Sequence, residues 1–273
     1  MKTKNILTII SLLISTYIWG QVQLPDDVED YHDPSILKSV FIGDTSYIPN
    51  GIAFTPKGDM RALIVCVGFG PTWDNQACGD WPSGSNTLPN WANSKEYMYN
   101  DYSDFTTYAS SNHYLNISRF YYEMSDEKFR FITDVYPNRI NIDLTGLSSY
   151  GAINRKALEV MRNQNPTFDW SPYDNRENSP NYLVDNSTSS PDSIVDFIVF
   201  AYRYNKNWTG FPVNITSDGV ATNSISSTFN YNGYKFDAAC GYTHFSGGEN
   251  FYNLFIHELA HNIFDYPYYA MAN

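Results

Sequence analysis

Arg61 to Phe69, RALIVCVGF, is apolar and β-prone without a break. A strand with one wet face alternates apolar and polar residues. A run without alternation belongs to a central strand inside a sheet. Asp192–Tyr204, DSIVDFIVFAYRY, reads as a second buried strand, and Lys128–Tyr136, KFRFITDVY, alternates well enough to be a third. Helical patterns separate them. Asn93 to Met124 reads mainly as helix, with Tyr114, Ile117, Ser118, Tyr121 and Tyr122 at helical spacing and Ser125-Asp126 ending the pattern. Asn154–Asn163 is amphipathic around Ala157, Leu158 and Met161, and Pro166 stops it. Strands alternating with helices predict an α/β (α+β) sandwich on a mixed, twisted sheet. Residues 70–90, with Pro71, Pro82 and Pro89, are expected to form a long surface loop. Residues 205–248, rich in Asn, Ser, Thr and Gly, are expected to wrap the edge of a cleft.

Residues 1–20 have the pattern of a secretory signal. Lys2 and Lys4 give a positive start, Ile6–Trp19 is apolar, and Gly20 suits cleavage before Gln21. The apolar run is short for a membrane span of about 20 residues, and no later segment is apolar enough for one. The expectation is an exported, extracellular protein without a membrane span after cleavage. Residues 21–58 are polar and Asp/Pro-rich, an N-terminal extension or propeptide-like segment ahead of one domain over 59–273. The formal charge of −12 becomes −14 once Lys2 and Lys4 are removed. That balance argues against nucleic acid and anionic membranes as partners, since both attract basic surfaces. Three cysteines are an odd number. Cys66, in its apolar run, reads as a buried thiol, and Cys78 and Cys240, in Gly-containing segments, are candidates for pairing after export.

The chemistry is concentrated in His257-Glu258-Leu259-Ala260-His261. On a helix, residues four apart share a face, so both imidazoles can bind one metal ion. Glu258, next to the first His, reaches a metal-bound water as a general base. At this chain's His and Glu frequencies the H-E-x-x-H pattern arises by accident roughly 0.003 times. Ser246-Gly247-Gly248-Glu249-Asn250 breaks the chain before the helix, Pro267 limits its end, and Phe255, Ile256, Leu259, Ile263 and Phe264 supply an apolar face. The other reading of this segment is an amphipathic helix with two surface histidines.

Four blocks, in order, resemble the immune inhibitor A family of secreted bacterial metallopeptidases: RALIVCVGF, NISRFYYEMSDEKFRF, DFIVFAY and NLFIHELAHNIFDYP, together spanning Arg61 to Pro267. The first three are loose patterns and the last is specific. The resemblance implies a zincin-like catalytic domain, one catalytic zinc ion, and hydrolysis of peptide bonds in extracellular proteins or peptides. It places His257 and His261 as zinc ligands and Glu258 as the base. One departure stands out. In the metzincin-like pattern a Gly three residues after the second His lets the chain turn, and a third ligand follows three residues later. Here those positions are Phe264 and Pro267, which suit neither role. Asp265 then has three readings: a residue that orients a ligand imidazole, as the Asp after the motif does in thermolysin-like enzymes, a third zinc ligand, or a solvated helix-end carboxylate. A third ligand beyond Asn273, in a C-terminal subdomain missing from this chain, is also expected.

His244 is a candidate for lining the cleft or for hydrogen-bonding a developing oxyanion, against the plain reading of a loop histidine. His32 and His113 carry no pattern. Asp169, Asp174, Asn175, Glu177, Asp185 and Asp192 form an oxygen-rich stretch that would suit calcium, against the plain reading of a solvated loop. Asn116-Ile117-Ser118 is one of four glycosylation-like triplets in an Asn-rich chain and carries no weight. The residues point to a secreted zinc endopeptidase. The alternative is a zincin-fold extracellular binding or adhesion protein without turnover, suggested by the unclosed ligand set and the many Tyr and Trp.

Overall fold

A computed structural model describes residues 57–264, apart from 80, 85, 108–115, 178–189, 206–207, 209–210, 212–218, 222–224, 238–239 and 247–250. Residues 1–56, which hold the expected signal and all but the last two residues of the expected extension, lie outside the described residues, as do His113, Asp185, Asp265 and Pro267; His32 falls within 1–56. Among the described residues no helix is long and apolar enough to cross a membrane.

The first apolar run forms β1, Gly58–Phe69, three residues longer than predicted. From Ala62 to Phe69 every residue is buried. Alternation survives as a division between two cores. Leu63, Val65, Val67 and Phe69 face one, and Ala62, Ile64 and Cys66 face the other. Both edges of β1 are paired as well. β2, Phe129–Val135, runs parallel along its first half, from Gly58↔Phe129 to Ile64↔Val135. β3, Ile140–Ile142, pairs with its second half at Val67↔Ile140. Pro137, which has no N–H to give a ladder, falls in the break between them. The second apolar run forms β4, Phe197–Tyr202, parallel to β1 on the other side, with all six residues buried.

Residues 205–248 contain more structure than a cleft rim. β5, Gly219–Ala221, and β8, Gly241–Ser246, both join the main sheet. β8 is parallel to β4, and β5 is antiparallel to β8. The order is β2-β1-β4-β8-β5, with β3 beside β1, so the predicted mixed sheet is present. β6, Phe229–Tyr231, and β7, Tyr234–Phe236, form a separate hairpin. Its turn residues Asn232 and Gly233 have φ of 49° and 86°. An Asn-Gly pair between aromatic residues is the sequence mark of such a tight turn.

Two helical layers cover the sheet. α1, Gly70–Asp74, and α2, Asp104–Thr107, are short. α3, Ile117–Met124, begins at Asn116, whose side chain accepts the Arg119 amide. Asn116 is buried in that cap, which removes it as a glycosylation site. α4, Tyr150–Gln164, begins at the Ser149 cap and ends before Pro166 as expected, packing Ile153, Ala157, Leu158 and Met161 on one face of the sheet. α5, Phe251–Phe264, joins α3 on the other face.

The long helix predicted over Asn93–Met124 is therefore too long. Within it, α2 and α3 are helical and residues 91–103 turn. Asn93 sits at φ 62°, a left-handed conformation that breaks a helix. Tyr97–Asn100 instead runs along the outer edge of β2. The Thr133 amide donates to the Tyr99 carbonyl at 2.9 Å, Ile117 N to Tyr97 O at 2.7 Å, and Arg61 Nη2 to Asn100 O at 3.0 Å. Covering an edge strand in this way satisfies its exposed amides.

The 70–90 segment likewise differs from a surface loop. Cys78 and Trp81 within it are buried, as is Trp91 just beyond. Two buried guanidinium groups hold it. Arg139 pairs with Asp74 at 2.5 Å and donates to the Gly84 carbonyl at 2.8 Å. Arg203 donates to the Trp73 and Gln76 carbonyls at 2.8 and 2.7 Å. The expected Cys78–Cys240 pairing is also corrected. All three cysteines are buried thiols. Cys78 packs with Cys66 in the core under α3 and α5, and Cys240 packs in the core under α4. The sheet separates the two.

Gly68 allows Arg139 to cross β1, since a Cβ there would lie 2.6 Å from Arg139 Nε. Gly68→Ala is expected to destabilise the fold by about 2 kcal/mol, the usual size of an overpacking penalty. Denaturant unfolding of wild type and variant checks this; equal midpoints would show that Arg139 can move aside.

Candidate functional site

The motif pentapeptide lies within α5, which follows β8 after a four-residue connection. Phe251, Phe255 and Leu259, at i, i+4 and i+8, are buried against the sheet side. Trp91 stacks on Phe251 at 4.4 Å between centroids, Tyr97 meets the same ring edge-on, and Phe131 of β2 packs on Phe255. Each such burial is worth about 2 kcal/mol, so three of them give the helix a fixed rotation about its axis.

That rotation decides how the motif is presented. His257 lies on the exposed side of α5. Its ring is nonetheless partly surrounded by protein, and the resulting desolvation lowers its pKa below the ordinary histidine value. The neutral imidazole so favoured is the form that ligates a metal. Glu258, the next residue, is only 5 % exposed. It lies close enough to Tyr121 of α3 for its charge to act on the phenol. His261 is one helical turn beyond His257 on α5, and its side chain is outside the described residues. α5 is helical through Phe264, where the metzincin-like pattern would have a turn. Among the described residues no group of three or more His, Cys, Asp or Glu side chains is gathered around a point that would hold a metal ion.

His244, predicted to be in a loop, stands on β8 instead. It is opposite Phe200 of β4 on one side and Val220 of β5 on the other. Strand residues in Gly- and Thr-containing sequence lack the apolar run that marked β1 and β4, which is why this strand was not legible.

The oxygen-rich stretch is turned largely toward the backbone. Asp169 accepts the Ser171 amide at 3.0 Å, at the start of a 3₁₀ turn, Ser171–Tyr173. The two oxygens of Asp174 accept from the Asp192 and Ser193 amides at 3.0 and 2.9 Å. Asn175 and Glu177 lie close by in sequence; the Asn175 amide donates to Asp196 at 2.7 Å. Asp196 itself escaped the sequence reading. Its side chain is wholly buried just before β4, and its Oδ1 has no hydrogen-bond partner among the described residues. A single Asp inside an apolar run is the signal that would have found it.

No protein-family model matches the chain, and no curated protein matches it. The likeness of the four blocks to immune inhibitor A peptidases stands on those residues alone.

Burial, the larger cause, and the nearby Asp174 charge push Asp196 up to about 8, against a partial offset from the Asn175 amide. A carboxyl whose folded pKa is raised binds its proton more tightly in the folded state. Its contribution to stability is complete below the ordinary Asp pKa and is lost as pH rises toward about 8. Unfolding free energy measured from pH 5 to 9 is expected to fall across this window in wild type, and to fall less in Asp196→Asn. Parallel profiles for the two proteins would refute the assignment.

Proposed function

We propose that this chain is a secreted zinc-dependent endopeptidase, with His257 and His261 as zinc ligands and Glu258 as general base. The observation that carries the reading is the pairing on α5 of an exposed imidazole held toward its neutral form with a buried carboxylate directly after it. A second motif histidine follows one turn later. These donors fit a zinc ion: imidazole nitrogens are ordinary zinc ligands, and residues four apart on one helix present them to a common point. Asp265, which lies outside the described residues, would serve either to orient a ligand imidazole or as the third ligand.

A zinc ion bound here would lower the pKa of its water toward about 7 and would polarise the scissile carbonyl. The chain's own residues do the rest. His257 and His261 would hold the ion. A Glu258 carboxylate oxygen takes the proton of the attacking water and returns it to the departing amine. Burial of Glu258 keeps bulk water from competing for that proton. β5 lies at the end of the sheet beside the strand that leads into α5. An extended peptide can pair with such an edge through its backbone, which suits a protein or peptide substrate over a small molecule. Export through residues 1–20 puts the reaction outside the cell.

The unbroken run of α5 to Phe264 favours a second reading: an extracellular binding or adhesion protein on a zincin-like scaffold without turnover. Zinc content and cleavage together decide between them. Full-length wild type is expected to hold one zinc per chain and to cleave casein. Glu258→Gln should keep the zinc by elemental analysis and lose about a thousand-fold or more in kcat. His257→Ala should lose both. A Glu258→Gln protein that cleaves at the wild-type rate refutes the mechanism, and wild type without zinc or cleavage supports the binding protein.

A further inference from the structure

We infer that Tyr121 of α3 is a positioning residue for the motif helix, setting the peptide from which His257 and Glu258 project. The inference rests on the zinc-peptidase reading of the same site. Its geometric basis is independent of any metal. The Tyr121 hydroxyl donates to the carbonyl of Ile256 at 2.5 Å, across 135 residues of chain. Ile256 is the residue immediately before His257, so this bond holds the peptide plane joining the two. A helical carbonyl has a second lone pair left after its intrahelical bond, and the phenol fills it. Tyr121 is 2 % exposed, and its ring packs edge-on against Phe131, which also packs on Phe255 of α5. One polar and one apolar contact therefore brace α5 at the same level of the helix.

The brace acts where it matters for chemistry. The phenol is also close enough to feel the Glu258 charge. Burial, then the neighbouring Tyr252 and Glu258, raises the Tyr121 pKa well above the ordinary value, so the hydroxyl remains a donor at working pH. α3 is itself rigidly placed. Asn116 caps it and ties to the Lys95 carbonyl at 2.9 Å, and Ser118 Oγ accepts the Tyr99 amide at 3.0 Å. These bonds connect α3 to the segment that covers β2. Tyr121 thus transmits the position of the sheet edge to the motif.

Tyr121→Phe removes one oxygen and keeps the ring. In the full-length protein it is expected to weaken zinc binding about ten-fold in competition with a chelator, the common effect of deleting a support behind a metal ligand. kcat on a peptide substrate should fall by a similar factor with KM unchanged, because the substrate's own contacts remain. Tyr122→Phe, one residue along the same helix and packed on Phe105 away from α5, is the control and should alter neither quantity. Replacing Tyr121 by 4-aminophenylalanine, which restores a donor, should recover zinc affinity; this comparison also serves if Tyr121→Phe fails to fold. Wild-type zinc affinity and kcat in folded Tyr121→Phe would overturn the inference, as would loss of affinity in a folded 4-aminophenylalanine protein. Absence of zinc from wild type would instead overturn the zinc-peptidase reading, so the two failures are distinguishable.

Discussion

Everything in this fold is arranged around the burial of β1. Its residues are closed off on both faces by side-chain packing and on both edges by neighbouring strands. A strand in that position cannot be served by one layer of helices. α4 must cover one face, and α3 with α5 the other, or the apolar side chains of one face stay in water at a cost of about 2 kcal/mol each. The motif helix is therefore part of the packing that makes the central strand possible. The proposed function and the stability of the fold share the same element, since the face of α5 opposite His257 shields β1.

Arginine plays an unusual part in a chain this acidic. Arg139 and Arg203 are buried; Arg203 donates to the Trp73, Gln76 and Pro82 carbonyls, and Arg139 to the Gly84 carbonyl and to the side chains of Asp74 and Asn141. A guanidinium group has several fixed donors and no acceptor, so it can satisfy several turn carbonyls at once. That is how a stretch rich in Pro and Gly, with little regular structure, comes to lie against the core. The same logic holds at the other edge, where Tyr97–Asn100 closes β2 through single backbone bonds in place of a ladder.

The parts of the fold that were legible are those in which local pattern and tertiary environment agree. β1 and β4 were visible because continuous apolar runs have no other stable home. α4 was visible because its apolar spacing, cap and proline all agree. β5 and β8 were not, because polar and small residues form strands when neighbouring strands supply the pairing, and nothing local records those neighbours. The overlong helix over Asn93–Met124 failed for a related reason. Helical spacing near Tyr121 was real, but the upstream residues are claimed by the open edge of β2. Cys78 and Cys240 looked equivalent in sequence and are divided by a sheet.

For the candidate site, the sequence by itself determined residue types and their spacing: two imidazoles four apart and a carboxylate between them, a pattern set by helical periodicity alone. It also marked the departure at Phe264. Only the tertiary structure decided which side of α5 faces the core. Phe251, Phe255 and Leu259 fix the helix rotation through contacts with residues more than a hundred positions away. That rotation exposes His257 and buries Glu258. The Tyr121 hydroxyl on Ile256 belongs to the same class of fact, since a hydrogen bond spanning 135 residues leaves no periodic trace in the chain.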